Sequence, residues 1–176
     1  MYLISLYFDD KTNKTIKRYI EQVAKITGNT YMLDGNVPPH ITISALETKD
    51  EEKLVEVLER EIGTIQKGSL QWVAVGSFMP YVLYIAPVQN EYLHNVSFRI
   101  YEGLKDLNNT SVSNYYRPFQ WFPHVTLGKK LTKEQMTMAF ELMQNQFMIF
   151  QGTVTKIGIA KTNPYIDIKI YNLKDL

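Results

Sequence analysis

The sequence predicts an α+β fold: a bilobal, internally duplicated domain whose two β-α-β-α-β halves are related by pseudo-two-fold symmetry across a central groove. Three observations carry that expectation. Strand-like and helix-like runs follow one another in the same order on either side of a break near Pro80. Two hexapeptides, Pro39-His40-Ile41-Thr42-Ile43-Ser44 and Pro123-His124-Val125-Thr126-Leu127-Gly128, share the pattern proline, histidine, aliphatic, threonine, aliphatic, small. Their histidines, at 40 and 124, stand 84 positions apart, and the first strands of the two halves sit at a similar offset.

Leu3 to Phe8 reads as a strand with Ile4, Leu6 and Phe8 toward the core, which turns Leu3, Ser5 and Tyr7 to the other face. Thr12 to Thr27 places Ile16, Tyr19, Ile20, Val23 and Ile26 at helical spacing and stops at Gly28. The first histidine strand enters through Pro38-Pro39. A helix over about Asp50 to Ile62 lines up Leu54, Leu58 and Ile62, leaves Glu51, Glu52, Glu56 and Glu59 on a solvated face, and closes at Gly63. Leu70 to Val75 is the last strand of this half.

The second half repeats the order. Tyr81 to Ala86 is a strand, and aligning it on Leu83 and Ile85 puts Tyr84 on the face that Tyr7 occupies in the first half. Asn90 to Leu107 is a helix carrying Leu93, Val96, Ile100, Leu104 and Leu107, with His94 on its surface. After the second histidine strand, a helix over about Lys133 to Gln144 has Thr132 and Gln135 spaced as a capping box. Thr153 to Ala160 and Tyr165 to Leu173 are strands; in the latter Ile166, Ile168 and Ile170 alternate with Asp167 and Lys169. No low-complexity linker intervenes, so residues 1–176 are expected to form a single bilobal domain, lobe one about 1–80 and lobe two about 81–176, with strand exchange between lobes allowed.

Composition narrows the function classes. A 45% hydrophobic content supports a buried core. A net charge of +1 gives no broad basic track for nucleic acid, while leaving room for a small anion or one RNA end. The absence of cysteine removes disulfides, thiolate ligands and a cysteine nucleophile. The opening apolar run reaches only Phe8 before Asp9-Asp10, too short for a secretory core or a membrane span. The expectation is a cytoplasmic protein without membrane contact, and without a heptad run a monomer is favoured.

Period-two alternation gives the hexapeptides their chemistry. His40, Thr42 and Ser44 share one strand face and Ile41 and Ile43 the other, and the second motif divides in the same way. Each strand thus buries aliphatics and presents an imidazole beside a hydroxyl, about 6.5 Å along the strand. One neutral and one protonated imidazole form a general base and a general acid near neutral pH, and the threonine hydroxyls can donate to phosphoryl oxygens. A two-histidine metal site is the weaker reading, because no His-x-His, His-Glu-x-x-His or adjoining carboxylate accompanies the pair. Around the second motif Tyr115, Tyr116, Phe119, Trp121 and Phe122, with Arg117, form an aromatic approach on which a base could stack.

Paired His-x-Thr-x motifs on a duplicated chain of this length resemble the 2H phosphoesterase superfamily, which includes proteins called 2′-5′ RNA ligases. The resemblance implies an active site in the groove between lobes and cofactor-free, metal-independent cleavage of cyclic nucleotide phosphates or 2′-5′ linkages at a nucleotide or RNA end. It places the catalytic positions on His40, Thr42, His124 and Thr126. Ser44 matches the family's usual hydroxyl; Gly128 is followed by Lys129 where many relatives carry an arginine. The expected substrate-binding residues are Ser44, Tyr7, Tyr84, Tyr116, Trp121, Phe122 and Lys129. A binding module without turnover, or a ligase using the same groups, remains the alternative reading.

Overall fold

The computed structural model describes residues 1–105 and 107–175. The first half of the chain runs β1 (Tyr2–Phe8), α1 (Asp10–Thr27), a single turn α2 (Tyr31–Asp34), β2 (Ile41–Glu47), α3 (Glu51–Ile62) and β3 (Gly68–Phe78). The second runs β4 (Val82–Pro87), α4 (Glu91–Lys105), β5 (Ser111–Val112), a 3-10 turn (Asn114–Tyr116), β6 (Val125–Gly128), α5 (Lys133–Gln146), β7 (Phe150–Lys161) and β8 (Ile166–Asn172). The α+β class and the strand-helix order agree with the sequence reading.

Local chemistry explains the helix ends. Asp9 opens α1 by accepting from the Thr12 backbone N–H at 2.8 Å, and Gly28 closes it at φ 69°, a left-handed conformation that a Cβ disfavours. Thr132 and Gln135 form the capping box at the start of α5, each side chain accepting from the other's backbone N–H. The fourth helix ends earlier than its periodicity suggests: Leu107 lies past it, and Asp106 lies outside the described residues, as does Leu176. The strands β3 and β7 outrun the expected spans, because β3 pairs with two neighbours along its length and β7 with three.

The strands form one sheet in the order β5-β2-β1-β7-β3-β4-β6, with β8 paired to β7. Neighbouring strands are antiparallel. Read outward from its centre the order is β7-β1-β2 on one side and β3-β4-β6 on the other. The first half's last strand, β3, therefore pairs beside β4, and the second half's β7 beside β1. Helices cross over too: α1 packs on β6, and α4 on β2. Residue 80 is thus a boundary in sequence pattern, while in space each half contributes to both sides of the sheet.

The histidine strands stand near opposite ends of this order. In a flat sheet five strand spacings of about 4.8 Å would hold β2 and β6 about 24 Å apart. The sheet instead curls until the chain leading into β6 reaches the outer edge of β2. There β5 pairs with Leu46 and Glu47, and the Trp121 indole Nε1–H donates to the Thr42 carbonyl at 2.9 Å. The face bearing Ile41, Ile43, Val125 and Leu127 is buried in the common core with Ile16, Leu54, Ile100 and Met143 from the helices. The opposite face carries the histidines. No helix among the described residues is long and apolar enough to cross a membrane.

Candidate active site

Each histidine sits one residue ahead of its strand, held by the same local device. His40 Nδ1 lies 2.8 Å from the Pro38 carbonyl, and His124 Nδ1 lies 2.9 Å from the Phe122 carbonyl, two residues back in each case. A carbonyl only accepts, so Nδ1 carries the proton in both rings. In the neutral tautomer this leaves each Nε2 with its lone pair available. The proline following each carbonyl residue stiffens the approach through its fixed φ.

The imidazoles share one electrostatic environment. A charge on His124 disfavours a charge on His40. His40 is held below its ordinary value first by burial and then by His124, against the opposing Pro38 carbonyl and Asp167 carboxylate. Burial likewise lowers His124, opposed by the Phe122 carbonyl. Both are neutral in most molecules near pH 7, and a phosphate between them would favour protonation. Thr42 and Thr126 are half-buried on their strands, and neither hydroxyl is bonded to another protein group among the described residues.

The tyrosines expected from alternation do flank the histidines. Tyr7 lies with its ring centroid 6.2 Å from that of His40, and Tyr84 5.5 Å from that of His124. Each leans over a glycine on the adjacent strand. A Cβ on Gly158 would stand 3.1 Å from Tyr7 Cε2, and one on Gly76 only 2.5 Å from Tyr84 Cζ and hydroxyl. The structure adds Phe78, which sequence patterning missed: its ring meets His124 edge-on at 4.7 Å and packs on Tyr84 at 4.5 Å. Phe122 packs edge-on against both Phe78 and Tyr84, and it and Phe78 are 45% and 41% exposed, so His124 borders an open aromatic wall. The sequence reading ended this strand at Val75, whereas the observed strand runs on to Phe78.

The aromatic approach does not stay together as one wall. Trp121 is 4% exposed, so its ring belongs to the core and offers no face for a base; the indole braces Thr42 instead. Tyr116 is half-buried with its phenol pushed up by burial, whereas Tyr115 and Phe119 point into solvent at 83% and 84% exposure. His94 lies against Phe119 at 5.5 Å, outside the set around the paired histidines. Ser44 is buried, and its hydroxyl meets no hydrogen-bond partner among the described residues. Lys129 is exposed, with its ammonium 6.0 Å from the Tyr31 ring on α2. Among the described residues no group of three His, Asp or Glu side chains could hold a metal ion.

A family model of the 2′-5′ RNA ligase superfamily matches residues 13–164. The chain belongs to this superfamily, that of the 2H phosphoesterases. The resemblance carried by the two hexapeptides is thereby borne out. Its fold is similar to that of Escherichia coli LigT crystallised with 3′-AMP, at TM-score 0.66 and 13% identity over 98% of this chain and 97% of that one. A Thermus thermophilus protein aligns at TM-score 0.64 and 14% identity over 99% and 98% of the two chains. A further crystal structure, of a phosphoesterase, aligns at 0.59 and 15% over 99% and 98%. No curated protein matches the chain in sequence. At such identities the structural likenesses establish the 2H fold of this superfamily member and leave its chemistry to its own residues.

Proposed function

We propose that this 2H phosphoesterase is a metal-independent phosphodiesterase that opens 2′,3′-cyclic phosphates, or related 2′-5′ bonds at a nucleotide or RNA end, by two-histidine acid-base catalysis. The observation that carries this reading is the matched pair of imidazoles, each fixed through Nδ1 to its own backbone and each with Nε2 unengaged, with charge on His124 disfavouring charge on His40. One neutral Nε2 takes a proton from water as the water oxygen bonds to phosphorus. The other imidazole, protonated, donates to the ribose oxygen as its bond to phosphorus breaks, leaving a phosphomonoester. Thr42 and Thr126 donate to the non-bridging oxygens as charge redistributes over them.

The acid-base pair works in either direction, so ligation uses the same four side chains. The 3′-AMP bound by the LigT structure supports a nucleotide as the ligand class, and the aromatic wall beside His124 suits a stacked base. We propose the two-lobed, duplicated arrangement as the reason one imidazole comes from each half. The test is hydrolysis of 2′,3′-cyclic mononucleotides and 2′-5′ oligoadenylates in EDTA, with products assigned by phosphorus NMR. His40→Ala and His124→Ala should each lose about a hundred- to ten-thousand-fold in rate. Near-normal turnover by either variant sinks the mechanism; tight nucleotide binding by the wild type with no turnover points to a binding module.

A further inference from the structure

We propose that Asp167, Tyr165 and Tyr7 form a positioning relay that holds a negative charge on the His40 side of the groove, with no counterpart beside His124 among the described residues. The proposal deepens the two-histidine reading and depends on it for any catalytic consequence. Its residues come from three places in the chain. Tyr7 lies on β1, Tyr165 in the turn between β7 and β8, and Asp167 is the second residue of β8.

The links are short and continuous. The Tyr165 hydroxyl donates to Asp167 Oδ1 at 2.8 Å and lies 3.1 Å from the Tyr7 hydroxyl. With the Tyr165 proton engaged by the carboxylate, the Tyr7 hydroxyl is the donor in the second link. Tyr7 is buried, and its ring rests against His40. Gly158 lets the ring pass over β7 toward β8, because a Cβ there would crowd Tyr7 Cε2, Ile170 and the Lys169 carbonyl.

Strand topology explains why only one side has this device. The second edge of β7 is shared: β3 pairs with Phe150 to Val154, and β8 takes over from Lys156 to Lys161. Among the described residues the eighth strand has no equivalent beside β3 and β4, and the His124 side receives Phe78 and Phe122. The titratable groups that face His40 are Tyr7 from β1, His124 from the β6 side and Asp167 from β8. Asp167 favours the charged form of His40, and among the described residues no carboxylate is a cause of the His124 shift. Asp167 therefore works against the burial and the His124 charge that lower His40, an offset that the His124 side lacks among the described residues.

The test is an NMR titration of the His40 and His124 Cε1–H resonances in the full chain without substrate, for wild type, Asp167→Asn, Tyr165→Phe and the double variant. Asp167 is exposed, so solvent screens it, and Asp167→Asn should lower the His40 midpoint by on the order of half a pH unit. The His124 midpoint should move much less. Tyr165→Phe should move His40 in the same direction, and the double variant should fall short of the sum of the two, as for linked groups. Asp167→Glu should restore the wild-type midpoint. In active enzyme the kcat profile should shift with the His40 midpoint while KM stays within about two-fold. An unmoved His40 midpoint, or equal movement of both histidines, overturns the relay. Because the midpoints are read without turnover, absence of activity on every nucleotide sinks the proposed function and leaves this measurement able to decide the relay.

Discussion

Replacing Trp121 by phenylalanine separates a brace from a base-stacking platform. The Trp121 indole is buried and donates to the Thr42 carbonyl at 2.9 Å, tying the approach to the second histidine directly to the strand of the first. Phenylalanine keeps most of the ring and removes the N–H. The Thr42 carbonyl lies on the outer edge of β2, where the two-residue β5 reaches only Leu46 and Glu47, so no strand replaces the lost donor. An unpaired, partly buried carbonyl costs about 1–3 kcal/mol, and the smaller ring leaves a void worth roughly 1 kcal/mol more. For a domain of this size each kcal/mol lowers Tm by about 2–4 °C, giving a fall of roughly 5–15 °C in a thermal melt. The brace also ties the strand of Thr42 to the segment that leads into His124. A displacement of about 1 Å can reduce kcat about a hundred-fold, whereas KM should change little because Trp121 presents no face to a base. An unchanged Tm together with unchanged kcat refutes the brace, and a rise confined to KM returns Trp121 to the substrate wall.

Four further outcomes follow. Alanine at Gly76 would place a Cβ 2.5 Å from the Tyr84 ring tip, so the tip must give way by about 1 Å; KM for a cyclic nucleotide should rise about five- to ten-fold with little loss of Tm, and unaltered kinetics would remove Tyr84 from the groove. Thr42→Val and Thr126→Val should each lower kcat about a hundred- to thousand-fold with smaller changes in KM, measured under saturating substrate; activity retained by both eliminates the hydroxyls as phosphoryl donors. Both imidazoles are depressed in the folded state, so below about pH 6.5 the unfolded chain binds more protons than the native one. Their contribution to stability is complete above about 6.5 and is lost as pH falls through the folded values, and His40→Asn with His124→Asn should flatten Tm against pH in that window. The kcat/KM optimum of the free enzyme should likewise fall on the acid side of about 6.5.

Alternation made much of the site legible. Period two assigned His40, Thr42 and Ser44 to one face, put Tyr7 and Tyr84 beside the histidines, and gave Ile41, Ile43, Val125 and Leu127 to the core. It failed where a side chain's fate depends on a partner far along the chain. Trp121 looked like part of an aromatic platform because the sequence holds no sign that β2 leaves a carbonyl at an open edge. Phe78 lay beyond the expected Leu70 to Val75 strand, and Asp167 read as an outward polar position of a half-exposed strand; only the curl of the sheet sets Phe78 against His124, and only the sharing of the β7 edge sets Asp167 behind Tyr7. Gly76 and Gly158 were visible as residues, yet what they accommodate depends on strand register.

The exchange of β3 and β7 makes the two halves of this polypeptide mutually dependent. Separated near Pro80, the first would keep β1 beside β2 but lose its inner neighbour, and the second would lose the strand against which β4 pairs. Each piece would expose a ladder of unmatched amides and a helix whose apolar stripe was shaped for the other's strands. Insertions at that junction should therefore be tolerated only if they let both pieces remain interleaved, which makes covalent continuity there less important than correct cross-pairing.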